Sequence, residues 1–312
     1  MQTPSEQKIL VTGGAGFIGS RIAESFSPEN EVVVLDNLSS GSSRNVPEAA
    51  TFIEADVRNA DAVSAAATDA DVIFHEAALV SVTASVDDPK TSHAINVDGT
   101  INVLEAARQQ DARVVLASSA AIYGPPETVP IAEDHPKQPG SPYGLDKLAL
   151  DQYAQIYNDL YGLETVPLRY FNVYGPGQTG GDYAGVISVF VEQALAGDDI
   201  TVHGDGTQTR DFVFIDDIVA ANRRASATAA VGEPFNIGTG ESITIRELAE
   251  LIQSVTDSDS DIVHTEGRTG DIKQSRADIS KSTEQLAYTP TTSIEEGIER
   301  TVEWYKRRQI SQ

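Results

Sequence analysis

The sequence predicts an α/β protein built on a doubly wound parallel sheet, and three observations carry that expectation. Short runs rich in Val and Ile alternate with helical stretches through the first 170 residues. Glycines at 13, 16 and 19 directly follow the first run, and an acid, Asp36, ends the second. The runs are too continuously apolar for half-exposed strands, so they read as strands buried on both faces.

The predicted strands are Ile9–Thr12, Glu31–Leu35, Val72–Phe74, Arg113–Leu116 and Val166–Tyr170. Among the intervening helices, Ala94–Gln109 sets Ile95, Val97, Ile101, Val103, Leu104 and Ala107 at near-helical spacing. Strand and helix in alternation give a parallel sheet covered on both sides. After Tyr174 the texture changes to turns marked by Gly175, Gly177, Gly180 and Gly181, with helices expected at Val186–Leu195, Ile245–Ser254 and Ser293–Arg307. This divides the chain into a first domain over 1–173 and a smaller α/β domain over 174–312. Strand-like segments near 211–219 and 234–238 are expected to return to the first domain. No internal repeat or long low-complexity tract interrupts the pattern.

Composition narrows the function. The chain has 312 residues, with 22 Lys plus Arg against 47 Asp plus Glu, a formal charge of -25. Such a field repels phosphate backbones and anionic membranes, so no nucleic-acid or membrane partner is expected. Cysteine is absent, which excludes disulfides and thiolate metal sites. The histidines at 75, 93, 135, 203 and 264 show no metal-ligand spacing, so no metal is expected either. Apolar stretches are strand-sized and the first residues are polar, which predicts neither a membrane span nor a secretory signal, and hence a cytoplasmic protein. Only 7 of the 22 basic residues are Lys and the acids are spread along the chain, a composition that resembles proteins of a high-salt cytosol.

The glycine run has a physical reading. In Ile9-Leu10-Val11-Thr12-Gly13-Gly14-Ala15-Gly16-Phe17-Ile18-Gly19, Gly13 permits a tight turn, Gly16 lets the backbone approach a pyrophosphate, and Gly19 allows helix and strand to pack closely. The helix that follows offers free N–H groups to an anion. Asp36, at the end of the next strand, suits the adenosine ribose hydroxyls and would repel a 2′-phosphate, so the expected cofactor is NAD on a Rossmann-type domain.

The catalytic candidates lie further on. Ser141-Pro142-Tyr143-Gly144-Leu145-Asp146-Lys147 opens a helix and sets Tyr143 and Lys147 four apart on one face. A phenol is a weak base at neutral pH, but an adjacent ammonium and a cationic nicotinamide both favour phenolate, which makes Tyr143 a general base with Lys147 as its helper. Ala117-Ser118-Ser119 follows a predicted strand, whose carboxyl end faces the ligand crevice, so Ser119 is placed to bond a substrate hydroxyl.

Together these stretches, with Ala120-Ala121-Ile122-Tyr123-Gly124 and Arg169-Tyr170-Phe171-Asn172-Val173-Tyr174-Gly175-Pro176-Gly177, resemble the extended short-chain dehydrogenase/reductase superfamily. Within it the chain is most similar to NAD-dependent nucleotide-sugar epimerases of the UDP-glucose 4-epimerase type. The resemblance implies catalysis by Ser119, Tyr143 and Lys147. It implies cofactor contacts at Gly13, Gly16, Phe17, Ile18, Gly19, Asp36, Asn37, Asp56, Val57, Ala77, Ala78, Asn96, Tyr143, Lys147 and Tyr170. Asn172, Val186, Val202, Arg210, Arg268 and Asp271 match positions that hold the nucleotide diphosphate of the substrate. Arg210 and Arg268 also make independent sense, since a diphosphate needs cations and this chain has few.

The resemblance also bears on the reaction. Sugar-nucleotide dehydratases carry an Asp-Glu pair after the catalytic hydroxyl residue, and decarboxylases a Glu at the second position; here Ala120 and Ala121 stand there. Epimerisation needs neither acid. It implies that Tyr143 takes the C4 hydroxyl proton while hydride passes to the nicotinamide, that the 4-keto sugar turns, and that both return on the other face. Ser275 occupies a position that is bulky in enzymes restricted to non-acetylated sugars, which leaves room for an N-acetyl group. Val80 stands where some relatives carry a Lys near the cofactor. A homodimer paired through helices including 94–109 and 145–160 is the family expectation. The alternatives are action on another nucleotide sugar, such as a uronic acid, pentose or keto sugar, by epimerisation or reduction, and a catalytically silent NAD-binding role.

Overall fold

A computed structural model describes residues 5–178, 185–267 and 272–310. Six strands run through the first part: β1 (Lys8–Thr12), β2 (Glu31–Asp36), β3 (Thr51–Glu54), β4 (Val72–His75), β5 (Arg113–Ser119) and β6 (Thr165–Tyr170). Later come β7 (Asn172–Tyr174), β8 (Ile200–His203), β9 (Thr209–Arg210), β10 (Phe212–Phe214), β11 (Phe235–Ile237), β12 (Ile243–Thr244) and β13 (Ile262–Thr265). Among the described residues, seven strands form one parallel sheet in the order β11-β6-β5-β4-β1-β2-β3. This is the Rossmann-type doubly wound fold. The chain starts in the middle and reverses direction between β1 and β4, which opens a crevice beyond their carboxyl ends.

The helices are α1 (Phe17–Phe26), α2 (Ala60–Ala66), α3 (Val82–Asp87), α4 (Pro89–His93), α5 (Gly99–Gln110), α6 (Pro142–Tyr161), α7 (Val186–Ala196), α8 (Ile215–Ala225), α9 (Ile245–Thr256), α10 (Ser280–Leu286) and α11 (Ile294–Ile310). Alternate strand residues feed two cores, as the period of two requires. Ile9, Val11, Val32 and Val34 join the core under α1 and α8, and Leu10, Val33 and Leu35 join the one under α2, α5 and α6. β11 reaches the sheet late in the chain, pairing Phe235 with Leu168 and Ile237 with Tyr170.

One expectation is corrected. The segment 211–219 reads as a strand throughout, but only Phe212–Phe214 is extended, paired with β7 outside the main sheet. Ile215 onward is helical, and Asp216 and Asp217 in the first turn suit the positive end of that helix. Among the described residues, no helix is long and apolar enough to cross a membrane.

Candidate active site

The glycine turn comes first. Gly13 has φ of +69°, and a Cβ there would lie 2.6 Å from the Ala77 backbone nitrogen, so the turn presses against the segment after β4 and only glycine fits it. A Cβ on Gly19 would meet the Gly13 carbonyl oxygen at 2.3 Å, which is the price of seating α1 so close to the turn. Gly16 caps α1 without a side-chain partner, and a Cβ there would meet only the Gly13 carbonyl at 3.2 Å. The N–H groups at Phe17 and Ile18, left without a side-chain cap, fit a pyrophosphate.

Asp36 ends β2 with its carboxylate held by backbone. Ala15 N–H donates to Oδ2 at 3.0 Å and Leu38 N–H to Oδ1 at 2.7 Å. Each oxygen keeps a second lone pair, so the group can still accept from ribose hydroxyls. Asn37 donates to Asp56 at 2.8 Å, bringing the ribose and adenine candidates together. The hydrogen bonds and charge of Arg58 hold Asp56 well below the usual carboxylate range. Val57 is buried, and its carbonyl accepts from Asn102 Nδ2. Asn96 clamps the loop after β4, accepting from Leu79 N–H at 2.9 Å and donating to its carbonyl at 3.1 Å. Ala77 and Ala78 lie half-buried between that clamp and the glycine turn.

The catalytic candidates meet at the carboxyl end of β5. Ser141 accepts from Gly144 N–H as the cap of α6, while Ser85, buried on α3, accepts from Tyr143 N–H at 3.1 Å. These bonds satisfy the first-turn donors and fix the start of the helix. Ser119 ends β5, accepts from Ala121 N–H, and lies near enough to the Tyr143 phenol to act on it. Burial pushes the Tyr143 phenol above its ordinary value and the Ser119 hydroxyl pulls it back in part. Lys147 is 4% exposed and donates to the Ala117 carbonyl at 2.6 Å, its Nζ lying 5.9 Å from the Tyr143 ring centre. Burial draws Lys147 down to about 8, against the pull of Glu76 and Asp146.

Beneath these groups runs a buried network that sequence reading missed. Asp151 lies two turns past Tyr143 on the same face of α6, and accepts from Arg169 Nε at 2.9 Å and Nη2 at 2.8 Å. The two side chains are 1% and 2% exposed. Ser118 also donates to Asp151, and Arg169 donates to the Tyr123 hydroxyl and the Glu133 carbonyl. Spacing of 143, 147 and 151 at four-residue steps was the available signal for Asp151. His75, to which the sequence assigns no role, bridges Thr12 and Thr100 at 2.7 and 2.9 Å. Burial, with help from the Lys147 charge, pulls it down to about 3, so it is neutral.

The substrate candidates spread over the second half. Arg210 lies on β9 and donates to the Thr209 carbonyl, and Asn172 on β7 donates to the Asp211 carbonyl. Asp211 is wholly buried and clasps the turn at Thr239 and Gly240, together with Ala277. Ser275 is 3% exposed and its N–H donates to the Thr209 carbonyl, beside Arg210. Val186 opens α7 half-buried. The Val202 side chain is fully enclosed in the core and offers no accessible surface. Arg268 and Asp271 lie outside the described residues. Tyr170, the last cofactor candidate, has its hydroxyl between Glu76 and Asn222. Among the described residues, no group of three His, Asp or Glu is placed to hold a metal.

Comparison with known proteins follows the same lines. Residues 9–238 match the model of the NAD-dependent epimerase/dehydratase family. A UDP-glucose 4-epimerase of Mycolicibacterium smegmatis is 39% identical over 310 residues, covering 96% of this chain and 99% of that protein. The structure of a UDP-glucose 4-epimerase from Thermotoga maritima with UDP-glucose superposes with a TM-score of 0.94 at 36% identity, over 97% of this chain and 99% of the other. A UDP-N-acetylglucosamine 4-epimerase from Methanobrevibacter ruminantium, in complex with UDP-N-acetylmuramic acid, also gives 0.94 at 36% identity, over 98% and 100%.

Proposed function

The chain belongs to the NAD-dependent epimerase/dehydratase family, and from that premise we propose that it inverts C4 of a UDP-hexose, UDP-glucose and UDP-galactose first, through a 4-keto sugar. Its cofactor is NAD, and the glycine turn, Asp36 and the uncapped start of α1 are the groups that fit it. Bound NAD supplies the hydride acceptor and donor at C4.

The observation that carries the reading is the convergence of Ser119, Tyr143 and Lys147 beside two alanines, Ala120 and Ala121, where eliminating enzymes need acids. Tyr143 is the general base, and Ser119, beside it, extends its reach to the substrate hydroxyl. Burial alone keeps the phenol protonated, so a cationic ring beside it and the Lys147 ammonium must together draw the proton off. Lys147, anchored on Ala117, presents its remaining N–H donors to the cofactor ribose. Arg210 and Arg268 hold the diphosphate, so the sugar turns while the nucleotide stays fixed. Ser275 is set beside β9, and its small side chain in place of a bulky one is what would extend the range to the N-acetylated pair.

Arg276 favours a second reading, a sugar carrying a carboxylate at C6. Its Nε is buried without a hydrogen-bond partner among the described residues, one position from Ser275, and a carboxylate would relieve an orphan donor. The assembly is a homodimer through α5 and α6, supported by Leu145, Ile156 and Leu160 exposed on α6.

The test is inversion itself. Purified protein is incubated in high salt with UDP-glucose, UDP-N-acetylglucosamine or UDP-glucuronate, without added NADH, and the C4 epimers are resolved by NMR. Galacto products from the first, abolished in Tyr143→Phe, are expected. Inversion of UDP-glucuronate alone transfers the assignment to the second reading, and inversion of none, with both proteins alike, refutes both.

A further inference from the structure

The proposed reaction leaves unused one acid beside the catalytic helix. Glu76 is the first residue past β4, and its Oε1 accepts from the Tyr170 hydroxyl at 3.0 Å. That hydroxyl accepts in turn from Asn222 Nδ2 at 2.8 Å, so the acid is tied to β6 and, at one remove, to α8. Strand register sets its backbone beside the anchor of Lys147, at a separation too long for an ion pair. His75 lies opposite Leu116 across β4 and β5, so the next residue stands level with Ala117, whose carbonyl holds the Lys147 ammonium. The two charges attract one another.

Tyr170 needs only an acceptor, which a glutamine would provide, and a leucine would fill the space without desolvation cost. What a carboxylate adds is charge. We propose that Glu76 is a positioning residue for the oxidation step: it fixes the Tyr170 hydroxyl and balances the Lys147 ammonium, keeping that lysine charged beside Tyr143.

The neighbouring groups are few. On its own strand stands His75, neutral between two threonines. From β6 comes Tyr170, which burial holds protonated. From α6 come Lys147 and, acting on that lysine, Asp146; α8 contributes the uncharged Asn222. Burial raises Glu76 to about 7 and lowers Lys147 to about 8, so the two titrate near neutrality as a coupled pair.

With 7 lysines in the chain, the Lys147 side chain can be followed by NMR of 13C-lysine protein loaded with NAD, its signal assigned by loss in Lys147→Arg. Glu76→Gln keeps the acceptor for Tyr170 and removes the charge; Glu76→Leu removes both. The expected result is a fall of about one unit in the Lys147 midpoint in both variants, with the alkaline limb of kcat/KM moving down by the same amount in Glu76→Gln. A structural role alone would lower activity at every pH and leave the midpoint in place. A midpoint that moves by less than about 0.3 unit in Glu76→Gln overturns the proposal. The activity arm rests on the 4-epimerase reading, but the NMR arm does not. A shifted midpoint in a protein that inverts no nucleotide sugar therefore sinks only that reading.

Discussion

Asp151→Asn keeps the shape of the buried acid and removes its charge, leaving the Arg169 guanidinium uncompensated at 2% exposure. At charge separations near 4 Å and an effective dielectric of about 20, the lost attraction is about 4 kcal/mol. Measured cases of one partner removed from a buried pair fall at about 3–5 kcal/mol. Tyr123 and the Glu133 carbonyl still accept from Arg169, which favours the lower end, about 3 kcal/mol. Replacing both partners by apolar residues, Asp151→Leu with Arg169→Met, costs far less than the sum of the single changes, because no charge is left stranded. Urea unfolding of the four proteins gives the coupling energy, expected at about 2 kcal/mol or more. Because Asp151 shares a helical face with Tyr143 and Lys147, kcat falls in Asp151→Asn under conditions where the protein remains folded. Single variants that each lose under about 1 kcal/mol, as exposed pairs do, would refute the idea that this pair clamps α6 to the sheet.

Three further outcomes follow. His75 is drawn from 6.5 to about 3 in the folded state, so the unfolded chain binds more protons between those values and stability falls as pH drops through 6.5. Wild type should lose about 2 kcal/mol relative to His75→Gln between pH 7 and pH 5, read from urea midpoints. Gly13→Ala forces a positive φ on a side chain and overlaps the Ala77 backbone, costing about 1–2 kcal/mol for the conformation alone, and NAD affinity by calorimetry should drop at least tenfold. Ser275→Tyr should suppress inversion of UDP-N-acetylglucosamine while sparing UDP-glucose, measured as the ratio of the two kcat/KM values; an unchanged ratio removes Ser275 from the sugar pocket.

Much of the scaffold can be read directly in the sequence, for a physical reason. Strands β1, β2, β4 and β5 are buried on both faces along their middles, so their sequences centre on runs of Val, Ile, Leu and Phe, whereas β6, just as buried, reads Thr-Val-Pro-Leu-Arg-Tyr and is marked chiefly by its place after a helix. β3 is the outer strand and carries only Phe52 and Ile53 between polar ends, too weak a pattern to stand out. Ile215–Val219 misleads because an apolar run ahead of a short amphipathic helix has both periods at once. Motifs locate Tyr143 and Lys147 because their spacing is one helical turn, and Ser119 because it closes an apolar strand. The Asp151–Arg169 pair, the Asp211 clasp and the Tyr170–Glu76 bond join residues far apart in sequence, and nothing near either member announces its partner. Ser85 under the Tyr143 amide is of the same kind.

The late arrival of β11 has a consequence for how such a protein is made. A ribosome releases β6 well before Phe235–Ile237, so the nascent sheet carries an open, apolar edge throughout the synthesis of everything between them. An edge of that kind recruits other strands, which makes this interval the window in which a chaperone matters most. The same threading means the cofactor fold is no detachable module: a chain cut after β7 lacks its seventh strand.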